Sequence, residues 1–204
     1  GDTVQAYYDE DGMLTVHCKS MTNYFDRDDV AEAVGEDPEN VRIVENPTGG
    51  SFGWAMNAGS YALGAMATKV TQKPIALHID YSQFMAFSGK RSPAYMNGSL
   101  SCDENGMITA GQFDVGLDHG SYHELGDDKL MRISRFMFFP YYIPNALGVS
   151  RVAITNHAFG TAYRGYGAPQ AFTCGEALID MLAEKAGIDP FEFRYNNIAR
   201  PGDT

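Results

Sequence analysis

Apolar and polar positions alternate in two places that echo each other. "YDEDGMLTV" at residues 8–16 and "CDENGMITA" at 102–110 each set an acidic turn ending in glycine between alternating apolar residues. Asp11-Gly12 and Asn105-Gly106 are hairpin signals, because glycine takes the positive φ of a tight turn at no steric cost. Two antiparallel pieces of sheet are predicted, and the shared device only weakly supports an internal duplication. Asp26 is read as the N-cap of a short helix ending near Gly35, and "ENVRIVEN" as a strand. The alanine-rich stretch 54–69 predicts a second helix, followed by the strand "PIALHIDYS", while "SQFMAFSGKRSPAYMNGS" reads as loop or edge strand with Pro93 as a local stop. The clearest helix is 170–186, with apolar positions at helical spacing, Gly187 closing it and Pro190 beyond. Strands and helices do not alternate regularly. The expected class is therefore α+β, with helices layered on mixed, largely antiparallel sheet, in two lobes of about residues 1–90 and 91–204.

A chain of 204 residues, 44% of them hydrophobic, can bury a sizeable core, which excludes a disordered chain. The net charge of -11 argues against a nucleic-acid partner or an anionic membrane surface, although a nucleotide could still be gripped locally. No apolar run approaches the roughly 20 residues that span a bilayer. The start "GDTVQAYYDEDG" lacks a basic, apolar signal pattern, so a soluble, cytoplasmic protein is expected. Cys18, Cys102 and Cys174 are odd in number and include no C-x-x-C pair, so they read as reduced packing residues rather than zinc or iron–sulfur ligands. The abrupt beginning and the ending "ARPGDT" suggest a segment of something larger.

Two glycine-rich turns carry the candidate chemistry. "NPTGGSFGWAMN" at 46–57 and "TAYRGYGAPQ" at 161–170 each precede an apparent helix. Small residues there let backbone N–H groups approach an anion, and a helix N-terminus adds partial positive charge. As purely structural features the glycines would simply permit tight corners. Neither turn matches G-x-G-x-x-G, and no lysine follows as a P-loop requires. The residues alone thus support an anion-accommodating cleft of unidentified ligand.

"GGSFG", "KRSPAYMN", "YYIPN" and "TNHAFGTAYRGYGAPQ…DMLAEKAGIDPFEFRYNNIARPGD", in this order and over essentially the whole chain, closely resemble the molybdenum-cofactor-binding part of the xanthine dehydrogenase and aldehyde oxidoreductase family of molybdenum hydroxylases. The resemblance implies that Gly50, Phe52 and Gly53 form one wall around the molybdopterin and Tyr163, Arg164 and Gly165 the other. It places Tyr166 facing the substrate and assigns no direct metal ligand. The glutamine and glutamate that serve purine-oxidising members fall at Met21 and Met56, a loss that would leave a purine's polar edges unpaired. Arg132 falls on the arginine that steadies the substrate's developing charge in those members. "TGGSFGWAMN", "SGKRSPAYMN" and "DHGSYHELGD" look most like bacterial aldehyde oxidoreductases that use molybdopterin cytosine dinucleotide.

The resemblance further implies oxidation of an aldehyde to a carboxylic acid with water as oxygen source. The family's general-base glutamate lies beyond Arg200, and a second molybdenum domain and 2Fe-2S domains are expected on the same or partner chains of an oligomeric enzyme. This segment alone is expected to be inactive and empty of cofactor. The alternatives are a hydroxylase of N-heteroaromatic substrates, nicotinate or purine type, and a non-catalytic structural or assembly module. His119 and His123 stand four apart beside Glu124, but Gly120 breaks the helix a zinc pair would need, so no zinc site is expected. His157 is read as a packed or turn-capping histidine, and Lys90 and Arg91 as solvated loop residues that could otherwise reach a phosphate.

Overall fold

The computed structural model describes residues 1–122 and 124–203. They fall into two compact units, Gly1–Gly89 and Lys90–Thr204. In the first, β1 (Asp2–Tyr8) and β2 (Leu14–Cys18) form an antiparallel hairpin. α1 (Asn23–Val34) then crosses to β3 (Val41–Glu45), which pairs parallel with β2. α2 (Gly59–Thr71) and β4 (Ile75–Ile79) follow, giving the strand order β3-β2-β1-β4, and α3 (Tyr81–Phe87) closes the unit. β1 buries alternate positions, so Val4 and Ala6 meet Leu14, Val16, Val30 and Tyr61 in one core.

The second unit repeats the order. β5 (Ala94–Cys102) and β6 (Ile108–Gly120) form a hairpin, α4 (Gly126–Phe136) crosses over, and β7 (Ala146–Ile154) pairs parallel with β6. α5 (Ala168–Ala186) and α6 (Pro190–Asn197) complete it. One cluster packs Val115, Leu117, Ile133 and Met137, and a neighbouring one packs Ile179 and Phe193. The hairpin turns match bond for bond. Asp9 Oδ1 accepts the amides of Asp11 and Met13, and Asp103 Oδ1 accepts those of Asn105 and Met107, all at 2.9–3.0 Å.

The α+β class holds, with six α-helices and two mixed sheets among the described residues. Each expected antiparallel piece gains a parallel strand, because a helical crossover returns the chain in its starting direction. Asp26 is not the N-cap of α1; Thr22 holds that place, and Asp26 lies in the first helical turn, buried and accepting the hydroxyls of Ser20 and Thr22. The stretch expected as loop or edge strand opens with α3, nucleated by a capping box in which Asp80 accepts Gln83 N–H and the Gln83 side chain accepts Asp80 N–H. The second helix starts later than expected: Trp54–Met56 forms a 3-10 turn and α2 begins at Gly59. Gly187 closes α5 as anticipated, at φ 71° with its N–H on the carbonyls of Ala183 and Glu184.

Candidate functional site

Both glycine turns hold an aromatic residue in left-handed backbone immediately before a glycine. In the first, Phe52 has φ 53° and Gly53 φ 106°; in the second, Tyr166 has φ 45° between Gly165 at 90° and Gly167 at 94°. A bulky side chain in this region is strained, and such strain persists only where the surroundings over-determine it. Ser51 Oγ pins the first turn by accepting the amides of Gly53 and Ala55. In the second, the amides of Tyr166 and Ala168 bond the carbonyls of Tyr163 and Gly165.

What remains is a set of unengaged donors. Among the described residues, the amides of Gly49, Gly50, Ser51 and Phe52 meet no protein acceptor, nor do those of Tyr163, Arg164 and Gly165. Among the described residues the Arg164 guanidinium likewise has no hydrogen-bond or ion-pair partner. α5 adds the positive end of a 19-residue helix directly after the second turn, with no side-chain cap. The first turn lacks this, since α2 starts six residues beyond Gly53.

Each turn is braced from behind. Asp2 is buried and accepts Trp54 Nε1 at 2.9 Å and Ser60 Oγ at 2.7 Å, tying β1 to the exit of the first turn and to α2. Lys19 lies 3.4 Å from its other oxygen. Arg91, expected to be a solvated loop residue, instead donates to the carbonyl of Arg164 at 2.6 Å and lies 4.7 Å from the Tyr163 ring centroid. Arg91→Ala is expected to cost about 1–3 kcal/mol, losing the charge-assisted hydrogen bond to Arg164, a long one to Gln170 Oε1 at 3.5 Å and one cation–π contact. Faster amide exchange at Tyr166 and Ala168 would report it; unchanged exchange would refute the bracing role.

Behind the second turn lies a polar cluster. Lys129, 2% exposed on α4, donates to Ser92 Oγ at 3.1 Å and stands 3.5 Å from His119 Nδ1. Ser92 Oγ is 3.0 Å from the same nitrogen, and His119 Nε2 meets the Glu124 carbonyl. His119 is therefore a core histidine; His123, its partner in the zinc reading, lies outside the described residues. Burial brings the Lys129 amine down to about 8, Glu124 opposing and Arg91 assisting. Between pH 8 and the ordinary value of 10.5 the unfolded chain carries a proton that the folded one lacks. Folding thus becomes more favourable as pH rises through that window, and the full cost of burying the charge is felt below pH 8.

Tyr166 donates its hydroxyl to the Leu125 carbonyl at 3.3 Å, and Arg132, exposed on α4, lies 5.5 Å from its ring centroid. Burial, with Asp128 and Glu124, pushes the phenol up to about 12 against Arg132, so it stays protonated at neutral pH. Met21 is 54% exposed, with its amide on the Ala55 carbonyl, and Met56 is half-buried in the 3-10 turn. His157 is exposed rather than packed; its ring pairs with Asp118 and its amide is capped by Thr155 Oγ1. Among the described residues no cluster of His, Cys, Asp and Glu is arranged to hold a metal ion. Sequence reasoning missed Asp2 and Lys129. Lys129 was findable, for it stands one turn before Ile133 on the apolar stripe of α4.

Residues 1–198 match the molybdopterin cofactor-binding domain family. The aldehyde oxidoreductase of Megalodesulfovibrio gigas is 42% identical over 203 residues, covering 100% of this chain and 22% of that protein. The nicotinate dehydrogenase large molybdopterin subunit of Eubacterium barkeri is 31% identical over 201 residues, covering 98% of this chain and 47% of that subunit. The solved aldehyde oxidoreductase of Desulfovibrio gigas superposes with a TM-score of 0.97 at 42% identity, over 100% of this chain and 22% of that one. Quinoline 2-oxidoreductase of Pseudomonas putida 86, at 22% identity and a TM-score of 0.90 over 99% of this chain and 26% of its own, shares the fold. The chain spans less than half the length of these relatives. No helix of the described residues is long and apolar enough to cross a membrane.

Proposed function

We propose, starting from the fact that this chain belongs to the molybdopterin cofactor-binding domain family, that it is the cofactor-holding segment of a larger molybdenum-dependent oxidoreductase that oxidises aldehydes. The observation that carries this reading is the set of unpartnered amides on both turns together with the free guanidinium of Arg164. The donors of each turn suit an anionic group of such a cofactor, because charge-assisted hydrogen bonds from fixed amides need no reorganisation to receive charge. Gly50 and Phe52 would serve it with free amides from one turn, where Gly53, its amide held by Ser51 Oγ, would supply the close backbone approach and no donor, and Tyr163, Arg164 and Gly165 would serve it from the other.

Such a group supplies a two-electron acceptor when bound; an aldehyde and water give a carboxylic acid, two protons and two electrons, which iron–sulfur domains would carry away. The chain's own residues would bind and orient. Arg164 would neutralise anionic charge, and Tyr166, held as a phenol, would present an uncharged face to substrate. Met21 and Met56 would offer apolar contact without the polar partners a purine needs. The 31% identity to a nicotinate dehydrogenase subunit keeps a heteroaromatic substrate as the second reading. We further propose the cytosine dinucleotide form of the cofactor, an oligomeric enzyme and a cytoplasmic setting.

The test is elemental analysis of the full-length protein from molybdenum-replete cells, with mass identification of the nucleotide released by acid. Near-stoichiometric molybdenum with cytidine monophosphate is expected, and Arg164→Ala should weaken cofactor affinity at least about tenfold, the loss of one charge-assisted contact, seen as faster release of molybdenum on dialysis. Turnover of an aliphatic aldehyde well above that of nicotinate would select the aldehyde reading, and the reverse the heteroaromatic one. A folded protein holding neither metal nor nucleotide would reduce both turns to structural corners.

A further inference from the structure

We propose that Lys129 is a positioning residue for the second glycine turn: its buried ammonium, bonded to Ser92 behind the turn, holds the turn ready for an anion and makes anion retention depend on its own proton. The inference rests on the reading of this turn as part of the cofactor site.

Contact is direct. A Cβ on Gly167, the last residue of the turn, would lie 2.9 Å from the Lys129 carbonyl oxygen and 3.5 Å from its Cγ. Arg91 and Ser92 extend the link to both sides of the turn. Ser92 takes the ammonium on Oγ and accepts Gln170 Nε2 of α5 on its carbonyl at 3.2 Å. Arg91, next in chain, holds the Arg164 carbonyl. Hydrogen-bond roles then follow in series. The Glu124 carbonyl requires N–H at His119 Nε2, which leaves Nδ1 to accept the Ser92 hydroxyl, and the Ser92 oxygen to accept Lys129.

The ammonium is under-supplied in this setting. Among the described residues only one of its three donors meets an acceptor with a lone pair to spare, Ser92 Oγ; His119 Nδ1 stands at 3.5 Å with its lone pair already given to the Ser92 hydroxyl. Among the described residues, the charged or titratable groups facing it are Glu124 from the loop before α4, Arg91 from the loop before β5 and His119 from β6, while α5 presents the uncharged Gln170. Of these, one carboxylate, which also accepts the Thr161 hydroxyl, stands against the Arg91 guanidinium and the Lys129 ammonium. An anion seated on the turn supplies the missing countercharge, and linkage makes the effect mutual: the bound anion strengthens Lys129's hold on its proton, and the proton strengthens the anion's hold on the turn. A methionine would fill the same space without the folding cost of a buried charge, so that substitution separates the charge from the packing.

The experiment uses the full-length protein, wild type and Lys129→Met, at pH 7 and pH 9.5. Two quantities are followed: release of molybdenum and nucleotide on dialysis, and amide exchange at Tyr166 and Ala168 corrected for intrinsic rates. Wild type should lose its cofactor about tenfold faster at pH 9.5, within the usual range of coupling between two sites. The Met variant should show that faster loss at both pH values, with a melting temperature no lower than wild type. Exchange at the two amides should be pH-sensitive in wild type and pH-insensitive in the variant. Lys129→Gln, which keeps a donor for Ser92 but not the charge, should behave like Met, whichever of the two folds better. A folded Met or Gln variant with wild-type retention and wild-type pH dependence overturns the proposal, as does pH-independent exchange in wild type. Wild type without molybdenum overturns the cofactor reading itself, and the exchange measurement still decides on Lys129.

Discussion

Gly167→Ala is expected to leave the full-length protein folded but largely empty of molybdenum. At φ 94° any side chain is strained, on the order of 1–2 kcal/mol for an L-residue in left-handed backbone. The new methyl would also stand 2.9 Å from both the Lys129 carbonyl oxygen and Ile133 Cγ1, so the turn and α4 must separate. Neither atom is the end of a flexible side chain. The combined cost is on the order of 3 kcal/mol, and much of it falls on the backbone that carries the unengaged Arg164 and Gly165 amides, the proposed cofactor donors. Gly187→Ala is the control. It has φ 71° but nothing within 4 Å of the added methyl, so it should pay the backbone strain alone and keep full molybdenum. Elemental analysis and thermal unfolding of both variants decide the matter. Equal molybdenum in the two would show that Gly167 is only a corner.

The second glycine turn was legible in the sequence because glycines beside a helix start admit few readings, and the resemblance to a known family narrowed them. The hairpins were legible for a similar reason, since Asp-Gly and Asn-Gly between alternating strands specify a local turn. Parallel pairing was not. β3 and β7 find their partners only after α1 and α4 have carried the chain across, and nothing local to either strand records its direction. α4 was hidden by its start, where Leu125 at φ 52° offers no capping side chain, and by the charges of "GDDKLMRISR". α3 could have been read, because Asp80 and Gln83 stand at capping-box spacing. The residues that brace the turns were beyond local reading. Asp2 reaches Trp54 across 52 positions and Ser60 across 58, and Lys129 reaches Ser92 across 37.

The echo between "YDEDGMLTV" and "CDENGMITA" carried more information than a shared turn. Each hairpin is followed by a helical crossover, a parallel strand, a turn with an aromatic in left-handed backbone, and a further helix. In both cases the turn leaves a strand that pairs with the second strand of the hairpin. One design thus offers amides from each unit by the same physical device, strained backbone fixed by a neighbouring strand and helix. The braces differ, however: a buried carboxylate supports the first turn, and a buried ammonium the second.

That difference predicts the other large effect. Asp2→Ala is expected to destabilise the first unit by about 3–5 kcal/mol, the usual cost of removing one partner from a buried, hydrogen-bonded charge. The loss leaves Trp54 Nε1 and Ser60 Oγ without their acceptor and Lys19 without its carboxylate. The damage should spread to the turn. Trp54 follows Gly53 directly and packs edge-on against Phe84 and Phe87 of α3 at 5.6 and 5.8 Å, so a shifted indole moves both the turn's exit and the helix behind it. Asp2→Asn keeps the shape and one acceptor oxygen but gives up the charge facing Lys19, and should cost roughly half as much. Denaturant titration of the full-length protein, followed by Trp54 fluorescence, separates the cases. A loss below about 1 kcal/mol for Asp2→Ala would mean that the carboxylate's bonds are replaced by water and that the aromatic packing alone sets the turn.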